Sequence, residues 1–274
     1  MLSIRGIQPL VYASPSVLRH FISHPVSEPQ PSGGEGHVRI ERAGDVLSFT
    51  FENAAAGNTI TNGMFESMLD ILRTEALAPS ARVLRIRARG DQFCVGRERS
   101  ATTPATIRTE VARLMELKRA LRESPLIVVA EVGGDALGFG FGLAICCDFA
   151  LVADTARLGF PEMLFGLPPM AIMSYLGEYA LPRHAFPLVL LGEPISPERA
   201  LSFGLINDAV PAAQLAARVD VLVAKLLALD ADAMRNCKEF FRMTVAGSFE
   251  TNTRAALDGL VVASLAMQAK RESA

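Results

Sequence analysis

The apolar residues of this chain follow two different spacings from residue 37 onward. Runs that alternate or are continuously apolar and β-branched predict strands, and apolar positions three and four residues apart predict helices. The predicted strands are 37–42, 45–52, 83–88, 126–132 and 149–153. The predicted helices are 61–75, 108–123, 197–203, 212–228, 231–245 and 253–270. Strands that alternate with helices predict an α/β domain, followed here by a mostly helical C-terminal part.

Residues 1–36 lack this regular pattern. They are rich in Ser, Pro and His, and they contain Arg5 and Arg19 but no acidic residue before Glu28. Such a composition resembles a transit peptide, yet two arginines are few and the prolines interrupt any long amphipathic helix. We therefore predict a flexible N-terminal extension over 1–36, an α/β core over 37–210 and a helical region over 211–274.

Composition narrows the classes of function. The chain has 274 residues and a net charge of −2, which argues against a general nucleic-acid binder. Its longest apolar runs are interrupted by Gly and Pro, and none reaches the ~20 residues that a membrane helix requires. The cysteines fit no zinc spacing, so we expect reduced thiols, no metal site and a cytoplasmic protein. They are Cys94, Cys146, Cys147 and Cys237.

A glycine-rich stretch over 134–142 follows the apolar run 126–132 and leads into an apolar helical segment. The first amides of a helix have no acceptor within the helix, and the helix dipole favours negative charge beside them. The stretch is therefore a candidate anion site. A glycine turn packed closely in the core would show the same pattern, and the motif alone leaves both interpretations open.

Two other stretches contain a turn with residues that could bind a substrate or transfer a proton. Residues 90–98 leave the strand predicted at 83–88 and turn at glycine. In 158–169, Glu162 is surrounded by Phe, Pro, Leu and Met. Apolar surroundings disfavour the charged carboxylate, so we expect the pKa of Glu162 to rise toward the range useful for proton transfer. A solvent-facing glutamate at a turn is the plainer alternative.

In chain order these stretches resemble motifs of the crotonase (enoyl-CoA hydratase/isomerase) superfamily. Residues 93–98 resemble its Phe-x-x-Gly-x-Asp-like turn, and 134–142 resemble its Asn-Gly-x-Ala-x-Gly-Gly-Gly turn. Residues 158–166 resemble its Phe-Gly-x-Pro-Glu segment. Further matches occur at 58–61 and 191–211. The resemblance implies an α/β, crotonase-like spiral of ββα units, with a helical C-terminal region that forms homotrimers or hexamers.

The resemblance also implies a substrate and a site. Substrates would be acyl thioesters of coenzyme A, as in fatty acid metabolism, with no separate cofactor and with neither nucleic acid nor membrane as partner. The backbone amides of Arg97 and Phe139 would form an oxyanion hole for the thioester oxygen. The Arg97 side chain would contact a substrate carboxylate or a CoA phosphate, or would point to solvent. The substrate-binding positions would be Phe93, Val95, Gly138, Gly140, Phe141, Gly142, Leu167 and Met170.

The chain departs from the family pattern at one acid–base position. Hydratases of the family direct two glutamates at one water, and the matching positions here are Gly142 and Glu162. Loss of a general acid or base typically costs ~10²–10⁴-fold in rate. The resemblance therefore favours double-bond isomerisation, with Glu162 as the single acid and base.

Other functions remain open at this point. A hydratase could use a substitute acid from Glu131, Asp135 or Glu98. Glu131 could equally pair with a neighbouring strand, Asp135 could line its loop, and Glu98 could belong to a turn. Decarboxylation would need only the oxyanion hole and a pocket for the carboxylate. A family member could also bind coenzyme A without catalysing a reaction.

Overall fold

The computed structural model describes residues 36–245 and 247–272. The extension predicted over 1–36 therefore lies outside the described residues, except for Gly36. The predicted division into an α/β core and a helical C-terminal region stays a prediction, because no boundary between two units is observed directly.

A six-stranded sheet forms the centre of the molecule, in the order β1-β2-β3-β5-β7-β9. The first two strands pair antiparallel around a turn at Gly44, whose φ of 54° is in the left-handed region that favours glycine. The other neighbours are parallel, since the chain crosses over between them. The strands are β1 His37–Ala43, β2 Val46–Glu52, β3 Val83–Ala88, β5 Ile127–Val132, β7 Phe149–Ala153 and β9 Asp208–Val210.

A second, parallel sheet contains three very short strands in the order β4-β6-β8. Each of them follows a strand of the large sheet along the chain: β4 follows β3, β6 follows β5, and β8 follows β7. The three stretches that carry candidate chemistry are therefore placed side by side. The strands are β4 Gln92–Cys94, β6 Asp135–Leu137 and β8 Leu158–Gly159.

Nine α-helices complete the described part of the chain. Side chains cap several N-termini: Thr61 accepts from the amide of Met64, and Asp230 accepts from the amide of Ala233. The first two helices are α1 Asn62–Leu77 and α2 Pro104–Glu123. The next four are α3 Phe139–Cys146, α4 Met170–Leu176, α5 Pro182–Leu191 and α6 Pro197–Ser202. The last three are α7 Leu215–Leu227, α8 Ala231–Thr244 and α9 Phe249–Glu272.

The predicted strands and helices are present, with shifts of a few residues at their ends. The helix predicted at 212–228 begins with a separate 3-10 turn at Ala212–Gln214. The spacing of apolar residues does not predict α4 or α5. In α5 the reason is Pro187, because an internal proline removes a helix hydrogen bond and argues against a helix in the sequence.

Two apolar cores cover opposite faces of the large sheet. Adjacent residues of β3 show the division, because Leu84 belongs to one core and Val83 to the other. The larger core includes α1, α2 and α3, and the smaller one packs under α7. The apolar residues of α9, such as Leu260, Val261 and Leu265, are exposed. Its role in trimer formation stays a prediction. Among the described residues, no helix is long and apolar enough to cross a membrane.

Candidate active site

A cavity of about 450 Å³ lies between the turns after β4, β6 and β8 and the helices α2 and α4. Most of its wall is apolar, and five charged groups, three positive and two negative, interrupt that wall. Two other hollows, of about 320 and 200 Å³, are smaller. The apolar wall includes Val95, Val111, Leu114, Phe139, Leu167 and Ile172.

Glycine allows two of these turns to touch through their backbones. A Cβ built on Gly140 would lie 2.0 Å from the carbonyl oxygen of Cys94. A Cβ on Gly134 would lie 2.0 Å from the carbonyl oxygen of Asp91. No side chain can be accommodated at such distances, so these glycines are required for the turns to approach. The stretch therefore packs closely, as one interpretation held, and it borders the cavity at Gly138 and Phe139. Its role as an anion site stays a prediction.

The two backbone amides proposed for the oxyanion hole take no part in the hydrogen bonds that stabilise their turns. The backbone of Ile60 pairs with the residues on either side of Arg97. Its carbonyl accepts from Glu98 N at 2.8 Å, and its amide donates to Gly96 O at 3.1 Å. That bridge leaves the amide of Arg97 unused. Phe139 is the first residue of α3, so its amide has no acceptor within the helix. Both residues line the cavity. The oxyanion hole itself stays a prediction.

Glu162 is held in the 3-10 turn Pro161–Phe165. Its carboxylate lies beside the glycine turn, because a Cβ built on Gly138 would be 3.0 Å from Glu162 Oε1. The other carboxylate oxygen, Oε2, is buried and has no hydrogen-bond partner among the described residues. Burial raises the pKa of Glu162, and the positive charges of Arg99 and Lys118 oppose that rise. A half-buried carboxylate that has a raised pKa and one oxygen without a partner among the described residues is suited to exchange protons with a ligand in the cavity.

The space in front of Gly142 is occupied by other side chains. A Cβ at this position would lie 2.4 Å from Ile172 Cδ1, 2.6 Å from Tyr175 Oη and 3.3 Å from Lys118 Nζ. The Tyr175 hydroxyl donates to the carbonyl of Gly142 at 3.1 Å. Lys118 Nζ donates to Tyr175 Oη at 2.7 Å. A glutamate at 142 could not enter the cavity without displacing these groups.

Lys118 was not recognised as a candidate in the sequence, although it lines the cavity and is 3% exposed. A lysine within a helix is ordinarily solvated, which hides it from an analysis of residue types. Its position in the sequence does indicate burial, however, because it follows Leu114 by four residues and precedes Leu121 by three, which is the spacing of one helix face. These positions form the buried face of α2.

Some of the predicted substrate-binding residues do line the cavity, and others do not. Val95, Gly138, Leu167 and Met170 are on its wall, together with Arg97, Phe139 and Glu162. The other four predicted substrate-binding residues do not line the cavity, and they are Phe93, Gly140, Phe141 and Gly142. Gly140 is covered by the backbone of Cys94, and Gly142 by the side chains of Ile172 and Tyr175.

Phe93 and Phe141 belong to the core instead. The ring of Phe93 packs on Phe51, with centroids 5.6 Å apart, and that of Phe141 stacks on Phe160 at 5.1 Å. Phe141 follows Phe139 by two residues in α3. Two helical steps turn a side chain by about 200°, so Phe141 points away from the wall that Phe139 forms.

The Arg97 side chain neither points to solvent nor is free to bind a ligand. Its guanidinium contacts the Glu110 carboxylate and donates to the carbonyl of Glu98 at 3.0 Å. Burial acts to raise the pKa of Glu110, but hydrogen bonds from Arg97 and from backbone amides outweigh it and lower that pKa. Arg97 and Glu110 therefore form a neutral pair in the cavity wall.

The three possible substitute acids lie elsewhere. Glu131 pairs with Arg85 at 2.6 Å, as the plainer interpretation held. Asp135 accepts from the amide and the guanidinium of Arg157. Glu98 accepts from the amide of Asn62, at the start of α1, at 3.0 Å. None of the three lines the cavity.

Comparisons with known proteins agree with this arrangement. The sequence profile of the family described as Enoyl-CoA hydratase/isomerase matches residues 41–273. Enoyl-CoA hydratase domain-containing protein 3, mitochondrial, of Xenopus laevis is 30% identical over 241 residues, covering 85% of this chain and 80% of that protein. Hydroxycinnamoyl-CoA hydratase-lyase of Pseudomonas fluorescens is 25% identical over 224 residues, covering 78% and 81%.

Solved structures share the fold. An enoyl-CoA hydratase from Mycobacterium smegmatis superposes with a TM-score of 0.79 at 23% identity, covering 82% of this chain and 90% of that one. A protein from Thermobifida fusca, assigned as an enoyl-CoA hydratase and solved in complex with CoA, has a TM-score of 0.77 at 29% identity, covering 85% and 94%. These matches confirm the predicted crotonase-like α/β fold. This chain therefore belongs to the enoyl-CoA hydratase/isomerase family of acyl-CoA-processing enzymes.

Proposed function

We propose that this protein isomerises the double bond of an enoyl-CoA, with Glu162 as its single acid and base. The observation that carries the proposal is the contrast between two positions. Glu162 has a buried, unpartnered carboxylate oxygen at the cavity. At Gly142, where hydratases of the family have their other glutamate, Ile172 and Tyr175 fill the space. Addition of water to a double bond requires an acid and a base on one water, whereas isomerisation requires only one group that moves a proton.

Each step can be assigned to a group of this chain. The Glu162 carboxylate removes a proton from C2 of a 3-enoyl thioester, and the electron pair of that C–H bond moves onto the thioester oxygen. The amides of Arg97 and Phe139 donate to this oxygen and stabilise the resulting dienolate. The carboxyl then returns the same proton to C4, and the double bond forms between C2 and C3. No atom is gained or lost, so no further reactant is needed.

The environment of Glu162 suits this role. Burial raises its pKa, which makes the carboxylate a stronger base than an exposed glutamate. Only the ionised form can remove the first proton. We therefore expect the rate to fall as the pH is lowered through this raised pKa, at a higher pH than for a glutamate in water.

The test compares the isomerisation of 3-hexenoyl-CoA with the hydration of crotonyl-CoA. The wild type should isomerise the first substrate and leave the second unchanged. Glu162→Gln keeps the size of the side chain, so isomerisation should fall by ~10²–10⁴-fold with binding of the thioester intact. Glu193→Gln is the matched control, because Glu193 is exposed and does not line the cavity.

Three results would contradict the proposal. Efficient hydration of crotonyl-CoA would mean that another acid replaces the missing glutamate. Equal rates for the wild type and Glu162→Gln would remove Glu162 from the chemistry. Tight binding of both thioesters without turnover would identify a protein that binds CoA and does not act on it.

A further inference from the structure

Lys118 is a buried cation that has no carboxylate within ion-pair distance among the described residues. Its Nζ donates to Tyr175 Oη at 2.7 Å and lies 4.4 Å from the centroid of the same ring. The described residues provide it with no ion pair. Two other cations with largely covered side chains differ in this respect: Lys238 pairs with Asp148 at 2.6 Å, and Arg85 pairs with Glu131 at 2.6 Å. Burial of an ammonium group is costly unless an anion compensates it.

The charges around the cavity leave Lys118 available to a ligand. Arg97 and Glu110 neutralise each other, and Arg99 is exposed. Glu162 is the remaining carboxylate in the wall, and it lies beside Gly138 without a salt bridge to Lys118. With Glu162 ionised, the five charged groups of the wall sum to one positive charge. That excess corresponds to the exposed Arg99, and among the interior groups of the wall the ammonium of Lys118 is the cation that forms no salt bridge with a described residue.

We propose that the cavity accepts acyl-CoA thioesters whose acyl group carries a second carboxylate, and that Lys118, positioned by Tyr175, binds this carboxylate. The inference rests on the proposed function, because it names the acyl class of the same enoyl-CoA site. A neutral oxygen on the acyl chain would leave the ammonium uncompensated, whereas a carboxylate supplies a full opposite charge and charge-assisted hydrogen bonds. Tyr175 is itself held in place because its hydroxyl donates a hydrogen bond to the carbonyl of Gly142.

The protonation state of Lys118 agrees with this role. Burial lowers its pKa to about 8, and the negative charge of Glu162 acts in the opposite direction. The group is therefore still mostly an ammonium at neutral pH. It retains N–H donors beyond the one given to Tyr175, since a lysine ammonium has three.

Binding of saturated thioesters tests the inference without any reaction. The probes are three pairs with equal numbers of acyl carbons: butanoyl- and succinyl-CoA, pentanoyl- and glutaryl-CoA, and hexanoyl- and adipoyl-CoA. Equilibrium titration of the full chain should show tighter binding of the dicarboxylic member, by about tenfold, at one length or more. These probes lack a double bond, so the result does not depend on whether the protein isomerises enoyl-CoA.

Lys118→Met should remove or reverse this preference, because it weakens binding of the dicarboxylic thioester about 10- to 100-fold and changes binding of the methyl-terminated one much less. Tyr175→Phe should cause a smaller loss in the same direction, because the ammonium would no longer be fixed. Lys225→Met is the control, since Lys225 is exposed on α7. Circular dichroism establishes that each variant is folded, and Lys118→Gln replaces Lys118→Met if that variant fails to fold.

Two results would overturn the inference. In the first, the methyl-terminated member binds more tightly at all three lengths. In the second, Lys118→Met changes both members of each pair equally, which would assign Lys118 a structural role. Failure of the isomerase assay together with a Lys118-dependent preference would reject the proposed function and retain the acyl class.

Discussion

The cavity has two walls that are built differently. The turn wall consists of the turns after β4, β6 and β8, and it carries Arg97, Phe139 and Glu162. The helix wall consists of α2 and α4, and it carries Lys118 and Ile172 with Tyr175 behind them. In the turn wall, backbones touch and only glycine fits. In the helix wall, the contacts are between side chains.

The difference indicates where this protein can depart from its relatives. A Cβ on Gly134 or Gly140 would lie 2.0 Å from a backbone carbonyl oxygen, so no other residue fits there and the turn wall keeps the elements that the family resemblance implies. Side-chain contacts can be exchanged in sets if volume and charge are compensated. Here a glycine at 142 is accompanied by Tyr175, Ile172 and Lys118, which together occupy the space of a missing carboxylate.

The largest effect is expected from breaking the turn wall with Gly140→Ala. The new methyl group would lie 2.0 Å from the carbonyl oxygen of Cys94, and neither backbone can yield. We expect a loss in the free energy of unfolding of more than about 3 kcal/mol, measured by denaturant titration. Gly177→Ala is the control, because a Cβ there meets nothing within 4 Å. Similar stabilities for the two variants would show that the turns are not in contact as described.

An intermediate effect on stability is expected from Gly142→Glu, which places a glutamate side chain against the helix wall. Its clashes are with the ends of the Ile172 and Tyr175 side chains, and these can move. We expect a destabilisation of about 1–3 kcal/mol in denaturant titration and no hydration of crotonyl-CoA. Combination with Ile172→Ala and Tyr175→Ala should recover part of the stability and introduce measurable hydration. Rapid hydration by the single variant would mean that the space is already open.

The smallest effect is expected from Lys118→Met, and it should be stabilising. The pKa of Lys118 falls from 10.5 to about 8 on folding, so the unfolded chain binds this proton more tightly. That difference costs the fold at most about 3 kcal/mol below pH 8, and we expect a net gain for the variant of about 1 kcal/mol at pH 7. The gain should shrink as the pH rises from 8 to 10.5. A variant that is less stable than the wild type at pH 7, and remains so at pH 10, would contradict the cost assigned to the ammonium.

Local patterns were sufficient for the large elements, and the family resemblance was needed to propose the chemistry of the turn wall. The strands Val83–Ala88 and Phe149–Ala153 coincide with their apolar runs, and the motif order identified the family. Glu162 was a candidate because of its apolar surroundings, whereas Arg97 and Phe139 were assigned through the resemblance of 93–98 and 134–142 to the family motifs. Strands of two or three residues, such as β8, were too short to leave a periodic signal.

The amino-acid order alone determined which backbone segments form and which residue types are missing, including the absence of a carboxylate at Gly142. Tertiary structure decided what replaces that carboxylate, because Lys118 and Tyr175 are 57 positions apart in the chain and meet only when α2 packs near α4. It also decided that Phe93 and Phe141 face the core and that Arg97 is neutralised by Glu110. A side chain's direction and its charge partner depend on contacts between distant segments, and periodicity along the chain does not carry that information.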